Sequence, residues 1–191
     1  NLASLAKDRK ETDPLVICGG PCVCNPAPIA PFMDAVVIGD GEEMTLEVVE
    51  AVRRAKREGM GKAALLKTLS SIRGVYIPSL KAEETTVVRA IVRDLDKAPF
   101  TGEPIVPYLN IVHDRVALEV MRGCTRGCRF CQAGISYRPV RERSKERLEE
   151  LARTLVDSTG YNEMSLTSLS SADYSCLGGL VDDLLRDFRE E

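Results

Sequence analysis

The sequence has no tryptophan, a single histidine and only 5% aromatic residues. One histidine excludes any site that needs two imidazoles. A Ser-His or Cys-His hydrolase would rest wholly on His113. Long apolar runs are also missing. Residues 35–38 are among the longest, far below the ~18 residues that a membrane span needs, so no membrane partner is expected. No charged-then-apolar leader follows Asn1, so secretion is unsupported. Neither low complexity nor strong charge bias is present. The chain is 44% apolar and 29% charged, close to the globular average, which excludes a disordered protein. Its net charge of −3 argues against a generic nucleic-acid binder.

What is present is cysteine. Seven cysteines in 191 residues are too few for a disulfide scaffold, and the count is odd. Together with the missing leader, this points to a reducing compartment, the cytoplasm. The cysteines are clustered: Cys18, Cys22 and Cys24 in one group, Cys124, Cys128 and Cys131 in another.

The first segment alternates strand and helix. Pro14-Leu-Val-Ile-Cys18 is a short apolar run stopped by Gly19-Gly20-Pro21, and Ala35-Val-Val-Ile38 is stopped by Gly39-Asp40-Gly41. A helix is predicted over 42–57, with acids at its start and Arg53, Arg54, Lys56 and Arg57 at its end, the order that complements the helix dipole. Residues 60–115 read as a connector with a short helix at 63–69 and strands at 75–77 and 85–92. A strand at 116–120 opens the last segment. Leu148, Leu151, Ala152, Leu155 and Val156 then follow helical spacing, with Ser144 as N-cap and Gly160 as C′ residue. Met164, Leu166 and Leu169 mark the next strand, and Leu177 to Phe188 the next helix. The repeated strand-then-helix order indicates a parallel α/β fold. Two such units cannot close a barrel, and residue 1 is not Met, so the chain is expected to be a fragment of a longer protein.

The stretch that carries chemistry is Cys124-Thr-Arg-Gly-Cys128-Arg-Phe-Cys131. Three thiolates on a glycine-containing loop can wrap one face of a small cluster, with Gly123 and Gly127 allowing tight turns. Structural zinc wants four ligands, and the fourth candidates, His113 and Cys176, are at unusual spacing. Three buried, inert thiols are a further alternative. Three cysteines without a fourth suit a 4Fe–4S cluster with one iron left unligated by protein, where ordinary clusters use four.

These residues resemble a family. Cys-x3-Cys-x-aromatic-Cys at a strand end, followed by a helix, is similar to the signature of radical S-adenosylmethionine (SAM) enzymes. The longer string from Arg122 to Gly134, with Tyr137-Arg-Pro-Val-Arg-Glu-Arg143 after it, resembles the subgroup with an N-terminal cobalamin-binding-like domain. So do Gly19-Gly20-Pro21, Ile38-Gly-Asp-Gly-Glu-Glu43, Val112-His-Asp-Arg115 and Ser165-Leu-Thr-Ser-Leu-Ser-Ser171. The resemblance implies that Cys124, Cys128 and Cys131 each hold one iron and that the fourth iron chelates SAM. Reductive cleavage would then yield a 5′-deoxyadenosyl radical that abstracts hydrogen from a small-molecule or RNA substrate. An electron donor such as flavodoxin or ferredoxin is implied as partner. The implied fold is the end of a Rossmann-like cobalamin-type domain (1–59), a connector (60–115) and the first β/α units of a partial TIM-like barrel (116–191).

Phe130 matches the position that in the family lies against adenine, although a core packing role is the competing reading. The family's Gly-Gly-Glu at the end of the second strand is absent. Ser168 or Ser170 would have to receive the methionine amine, unless both hydroxyls serve only the strand end. The loop is basic, with eight Lys/Arg against two acids between Arg122 and Arg147. A solvated face, neutralisation of cluster and SAM carboxylate, and a nucleic-acid contact all fit that excess.

The remaining motifs are weaker. Cys18, Cys22 and Cys24 match no standard ligand spacing and read as small residues packing at a strand end. Gly19 and Gly20 resemble the turn near the nucleotide tail in cobalamin domains, which makes cobalamin a candidate cofactor. The Asp-x-His-x-x-Gly motif that supplies the lower cobalt ligand is missing. Gly39-Asp-Gly41 lacks the third glycine of a dinucleotide fingerprint, since Met44 stands there, and reads as a plain strand-to-helix turn. His113-Asp114-Arg115 reads as a structural connection between domains. The alternatives to an enzyme are a non-catalytic iron–sulfur electron-transfer or sensing module and a zinc-stabilised nucleic-acid-binding module.

Overall fold

The structure is a computed structural model, and it describes residues 2–80, 86–109 and 111–188. The chain forms two compact units that divide between Val92 and Arg93. Both are mixed α/β.

In the first unit a three-stranded sheet is ordered β1 (Ile17–Cys18), β2 (Ala35–Val37), β3 (Val75–Tyr76). Strands β1 and β2 are parallel, and β3 runs antiparallel to β2. Helices α1 (Gly41–Arg57) and α2 (Lys62–Leu69) join β2 to β3. Helix α1 buries Met44, Val48, Ala51 and Ala55, one stripe at three- and four-residue spacing. That stripe packs with Ala35, Leu65, Leu66, Leu69, Val75 and Ile77. Val36 faces the other way, into a smaller cluster with Val23 and Ile38. Strand β2 is thus covered on both faces, which is why its sequence is continuously apolar. Helix α2 and strand β3, assigned from sequence to a connector, lie in this unit.

Two strand expectations are corrected. The run at 14–18 pairs over two residues only, because the Asp34 carboxylate accepts the Val16 N–H at 2.8 Å and ends the ladder. Of the strand expected at 85–92, residue 85 lies outside the described residues. Residues 86–92 form a single bridge, Ala90 to Gly39. Gly39 has φ +124°, and a Cβ there would lie 2.2 Å from the Ala90 carbonyl oxygen, so only glycine admits this approach. The Asp40 side chain then takes the Val92 N–H at 2.9 Å, in place of a further rung. The turn into α1 is thereby occupied by the chain itself.

In the second unit β4 (Val116–Glu119) pairs in parallel with β7 (Met164–Thr167), in register from Val116↔Met164 to Glu119↔Thr167. Between them run β5 (Met121–Arg122), α3 (Ala133–Ser136), β6 (Arg141–Glu142) and α4 (Lys145–Thr159), and α5 (Leu177–Asp187) follows β7. Ser144 caps α4 by accepting the Arg147 N–H at 3.2 Å, and Gly160 ends it in the left-handed conformation. Leu148, Leu151, Ala152 and Leu155 of α4 meet Val116, Leu118 and Val120, with Leu180 and Leu184 from α5. Leu169, expected in the last strand, lies beyond β7 and is exposed. Among the described residues no helix is long and apolar enough to cross a membrane.

Candidate metal centre

The cysteine motif lies in a loop, residues 123–140, whose base is clipped by antiparallel pairing of β5 with β6. Gly123 opens it at φ +87°. A Cβ there would lie 2.8 Å from the carbonyl oxygens of both Tyr137 and Pro139. The two chain ends can close this tightly only if residue 123 has no side chain.

Within the loop Cys124 and Cys131 are half-buried and Cys128 is exposed, all as free thiols. The Arg126 N–H points at the Cys124 Sγ and the Gly134 N–H at the Cys131 Sγ, each at 3.4 Å. The Cys131 N–H donates to the Cys128 carbonyl at 3.0 Å. Backbone donors aimed at sulfur temper the charge of a bound cluster. Among the described residues no three Cys, His, Asp or Glu side chains converge as ligands of one ion. A cubane asks for something else, since each thiolate takes a separate corner. Three free thiols, two of them with amide donors, and no fourth cysteine in the loop fit such a cluster. His113 is exposed ahead of β4, whereas the loop follows the far end of that strand.

Phe130 is 91% exposed, so it is not a core packing residue. Ser168 and Ser170 stand just past β7, at the same sheet end from which the loop leaves. Their hydroxyls are engaged: Ser168 Oγ lies 3.0 Å from Ser171 Oγ and accepts the Ser170 N–H, while Ser170 Oγ donates to Asp173 at 2.7 Å. Asp173 is the residue that the sequence did not single out. Its carboxylate accepts Arg126 Nε at 2.6 Å and also Arg126 Nη2. Arg126, then Ser170, hold the Asp173 carboxyl below its ordinary pKa range. Asp173 in turn raises that of Arg126, with the Cys124 and Cys128 sulfurs adding to it. The available signal was an acid just beyond a serine run.

The basic excess of the loop is mostly used internally. Arg141 and Arg143 are buried. Arg122 forms two bonds with the Glu119 carboxylate, at 2.8 and 2.9 Å. Lys145 pairs with Asp183 and Glu149, and Arg147 with Glu150. A wholly solvated basic face is thereby corrected.

In the first unit Cys22 and Cys24 are exposed on a 3₁₀ turn at Pro21–Cys24, not packed as expected, and Cys18 is half-buried. Gly20 has φ +112°, and a Cβ on Gly19 would lie 2.7 Å from Val37 Cγ2. The turn therefore presses on β2. The one histidine of the sequence, His113, lies in the second unit.

Comparison with known proteins agrees with the loop chemistry. The family described as "Radical SAM proteins, N-terminal" matches residues 1–78. The "Radical SAM superfamily" matches residues 118–189, which contain the cysteine loop. An uncharacterized protein of Methanocaldococcus jannaschii is 29% identical over 189 residues, 96% of this chain and 38% of that protein. An uncharacterized methyltransferase of Pyrococcus horikoshii is 27% identical over 160 residues, 79% of this chain and 32% of that protein. The chain thus spans less than two fifths of the length of these relatives. Two family matches, one in each unit and the second containing all three loop cysteines, assign this chain to the radical SAM superfamily.

Proposed function

We propose that this chain carries the cluster-binding part of an enzyme that cleaves S-adenosylmethionine reductively. Cys124, Cys128 and Cys131 are the ligands of a 4Fe–4S cluster with one iron left open. When bound, the cluster supplies the electron that splits SAM into methionine and a 5′-deoxyadenosyl radical able to abstract hydrogen. The residues of the chain hold and orient. Backbone N–H groups of Arg126 and Gly134 stabilise two of the thiolates, the exposed Phe130 ring offers a face to adenine, and the Ser168 and Ser170 oxygens retain lone pairs for the methionine amine. The observation that carries this reading is one loop presenting three free thiols, two of them with amide donors.

On this reading the β4–α4–β7–α5 order forms the first two units of a partial TIM-like barrel, and the parallel β4–β7 register supports it. The first unit is read as the end of a Rossmann-like domain, supported by the parallel β1–β2 pair before α1. Seven free cysteines suit the reducing cytoplasm and an electron donor such as flavodoxin or ferredoxin. Internal pairing of most loop arginines favours a small-molecule substrate over RNA. The name of the Pyrococcus relative makes methyl transfer a product class to assay.

Anaerobic reconstitution tests the reading. About four irons per chain are expected, lost on C124A, C128A or C131A and retained on C18A, C22A or C24A. SAM added to the reduced protein should change the paramagnetic resonance spectrum. Stoichiometric zinc without an iron chromophore would overturn the cluster. An unchanged spectrum at saturating SAM would favour electron transfer alone.

A further inference from the structure

We propose that Asp173 is a positioning residue of the cysteine loop: by gripping the Arg126 guanidinium it fixes the one cation carried between Cys124 and Cys128 in the sequence. The inference rests on the reading that these cysteines carry a cluster.

Arg126 stands between the first two cysteines in the sequence and is tied at both its backbone and its side chain. Its N–H points at the Cys124 Sγ, 3.4 Å away. Its side chain leaves the loop and meets a carboxylate 47 residues further along, through Nε at 2.6 Å and through Nη2. Two parallel bonds from a planar fork to one carboxylate select a single orientation, which a lysine or a lone contact would not. The arginine side chain is 61% exposed, so without this grip it would sample many rotamers and water would screen its charge. Asp173 is only 18% exposed and is itself held by Ser170 Oγ, whose own N–H is fixed on Ser168. A continuous line therefore runs from Cys124 through Arg126, Asp173 and Ser170 to the end of β7. Within it the Ser170 hydroxyl aims the carboxylate, and the Ser168 hydroxyl holds the Ser170 N–H.

The base of the loop is clipped by β5 and β6, whereas the turn at Gly127, with φ +64°, comes between Cys124 and Cys128 in the sequence. The Arg126–Asp173 clasp acts at that tip. Iron–sulfur potentials follow net charge and hydrogen bonds at the sulfurs. A cation held in one place adds a fixed contribution. One released into solvent adds little.

The test compares the reconstituted full chain in four forms: wild type, R126Q, D173N and R126Q/D173N. Midpoint potential is read by mediator titration, with iron content as control. R126Q is expected to lower the potential. The same change made in D173N should shift it by less than half as much, because the cation is no longer placed. D173E should restore the wild-type response. An R126Q shift of equal size in both backgrounds would overturn the inference while leaving the cluster reading intact. Should R126Q fail to hold iron, R126K is compared in the same two backgrounds. A second arm uses the metal-free chain: trypsin cleavage after Arg129 should be at least threefold faster in D173N than in wild type. Absence of any cluster in wild type would sink the reading beneath the inference. Equal cleavage rates would sink the inference itself.

Discussion

The Arg143 guanidinium holds both ends of Glu119, donating from Nε to its main-chain carbonyl at 3.1 Å and from Nη2 to its carboxylate at 3.3 Å. Arg143 also donates to the Leu95 carbonyl and lies over the Phe100 ring, 5.7 Å from its centroid. Its side chain is 2% exposed. A residue that composition places on a basic surface is thus a bracket across the base of the cysteine loop. R143M keeps the volume but leaves two carbonyls and one carboxylate short of a donor. The Glu119 carboxylate is 34% exposed and keeps Arg122, so the cost comes from the carbonyls left without a donor, about 1–3 kcal/mol for each buried acceptor. Guanidinium chloride unfolding should show a loss of that order. A cost under about 1 kcal/mol would return Arg143 to the ordinary surface.

Gly123 supplies a second measure of the same base. A methyl at φ +87° is strained by about 1–3 kcal/mol before any clash, and here it also meets two carbonyl oxygens. G123A should therefore lose at least 2 kcal/mol, roughly, and retain less iron than wild type after reconstitution. G178A is the control. It lies in the first turn of α5 with nothing within 4 Å of a new Cβ. That change should leave stability unaltered or raise it by up to about 1 kcal/mol. Matching losses in the two variants would show that loop closure does not depend on residue 123.

The legible parts of this chain were those where local rules and packing agree. Ser144, the apolar spacing from Leu148 to Val156, and Gly160 specify α4 without ambiguity, and the structure uses each in that role. The continuous apolar run of β2 announced a strand buried on both faces. The cysteine spacing announced the family. What stayed hidden was long-range or very short. Strands β5 and β6 contribute two residues each, too few for any periodicity, and pair across the whole cysteine loop. The burial of Arg141 and Arg143 depends on carbonyls brought to them by folding. Asp173 gains meaning only from an arginine 47 positions earlier. Residues 86–92 have strand-like composition, yet one glycine and one aspartate hold them at single points.

Tyr174 gives the second unit a pH dependence. Its ring is buried, and its hydroxyl donates to the Arg143 carbonyl at 2.9 Å. Burial first, then the nearby Cys176, Glu142, Glu146 and Asp96, push its pKa up from 10.0 to about 12. The folded state therefore demands the neutral phenol, while the unfolded chain ionises near 10. The stabilisation is fully present below pH 10 and is lost as the pH rises through about 12, a difference of roughly 3 kcal/mol. The denaturation midpoint of wild type should fall over that window more steeply than that of Y174F. A spectrophotometric titration at alkaline pH should lose its latest tyrosinate step in Y174F. Parallel pH profiles for the two proteins would show that Tyr174 ionises like a solvated phenol.

Phe130 separates the two readings of the aromatic in the cysteine motif. A packing residue would bury its ring, and its loss would cost about 3–5 kcal/mol, as for other core Phe→Ala changes. The observed ring is 91% exposed. Its removal takes almost no area from the folded state, so F130A should change stability by no more than about 0.5 kcal/mol. An exposed ring within the three-cysteine motif has a different use, as a platform for a flat ligand. Stacking a base on an aromatic side chain contributes about 1–3 kcal/mol, which is roughly a fivefold to hundredfold change in affinity. F130A in the whole, cluster-loaded protein should therefore bind S-adenosylmethionine about tenfold more weakly or worse, with an unchanged melting temperature. F130Y should keep most of the affinity, because it keeps the ring. Equilibrium dialysis against labelled SAM, beside thermal unfolding of the same samples, reads both quantities. A lowered melting temperature with undiminished SAM binding would give the ring back to the core and remove it from the site.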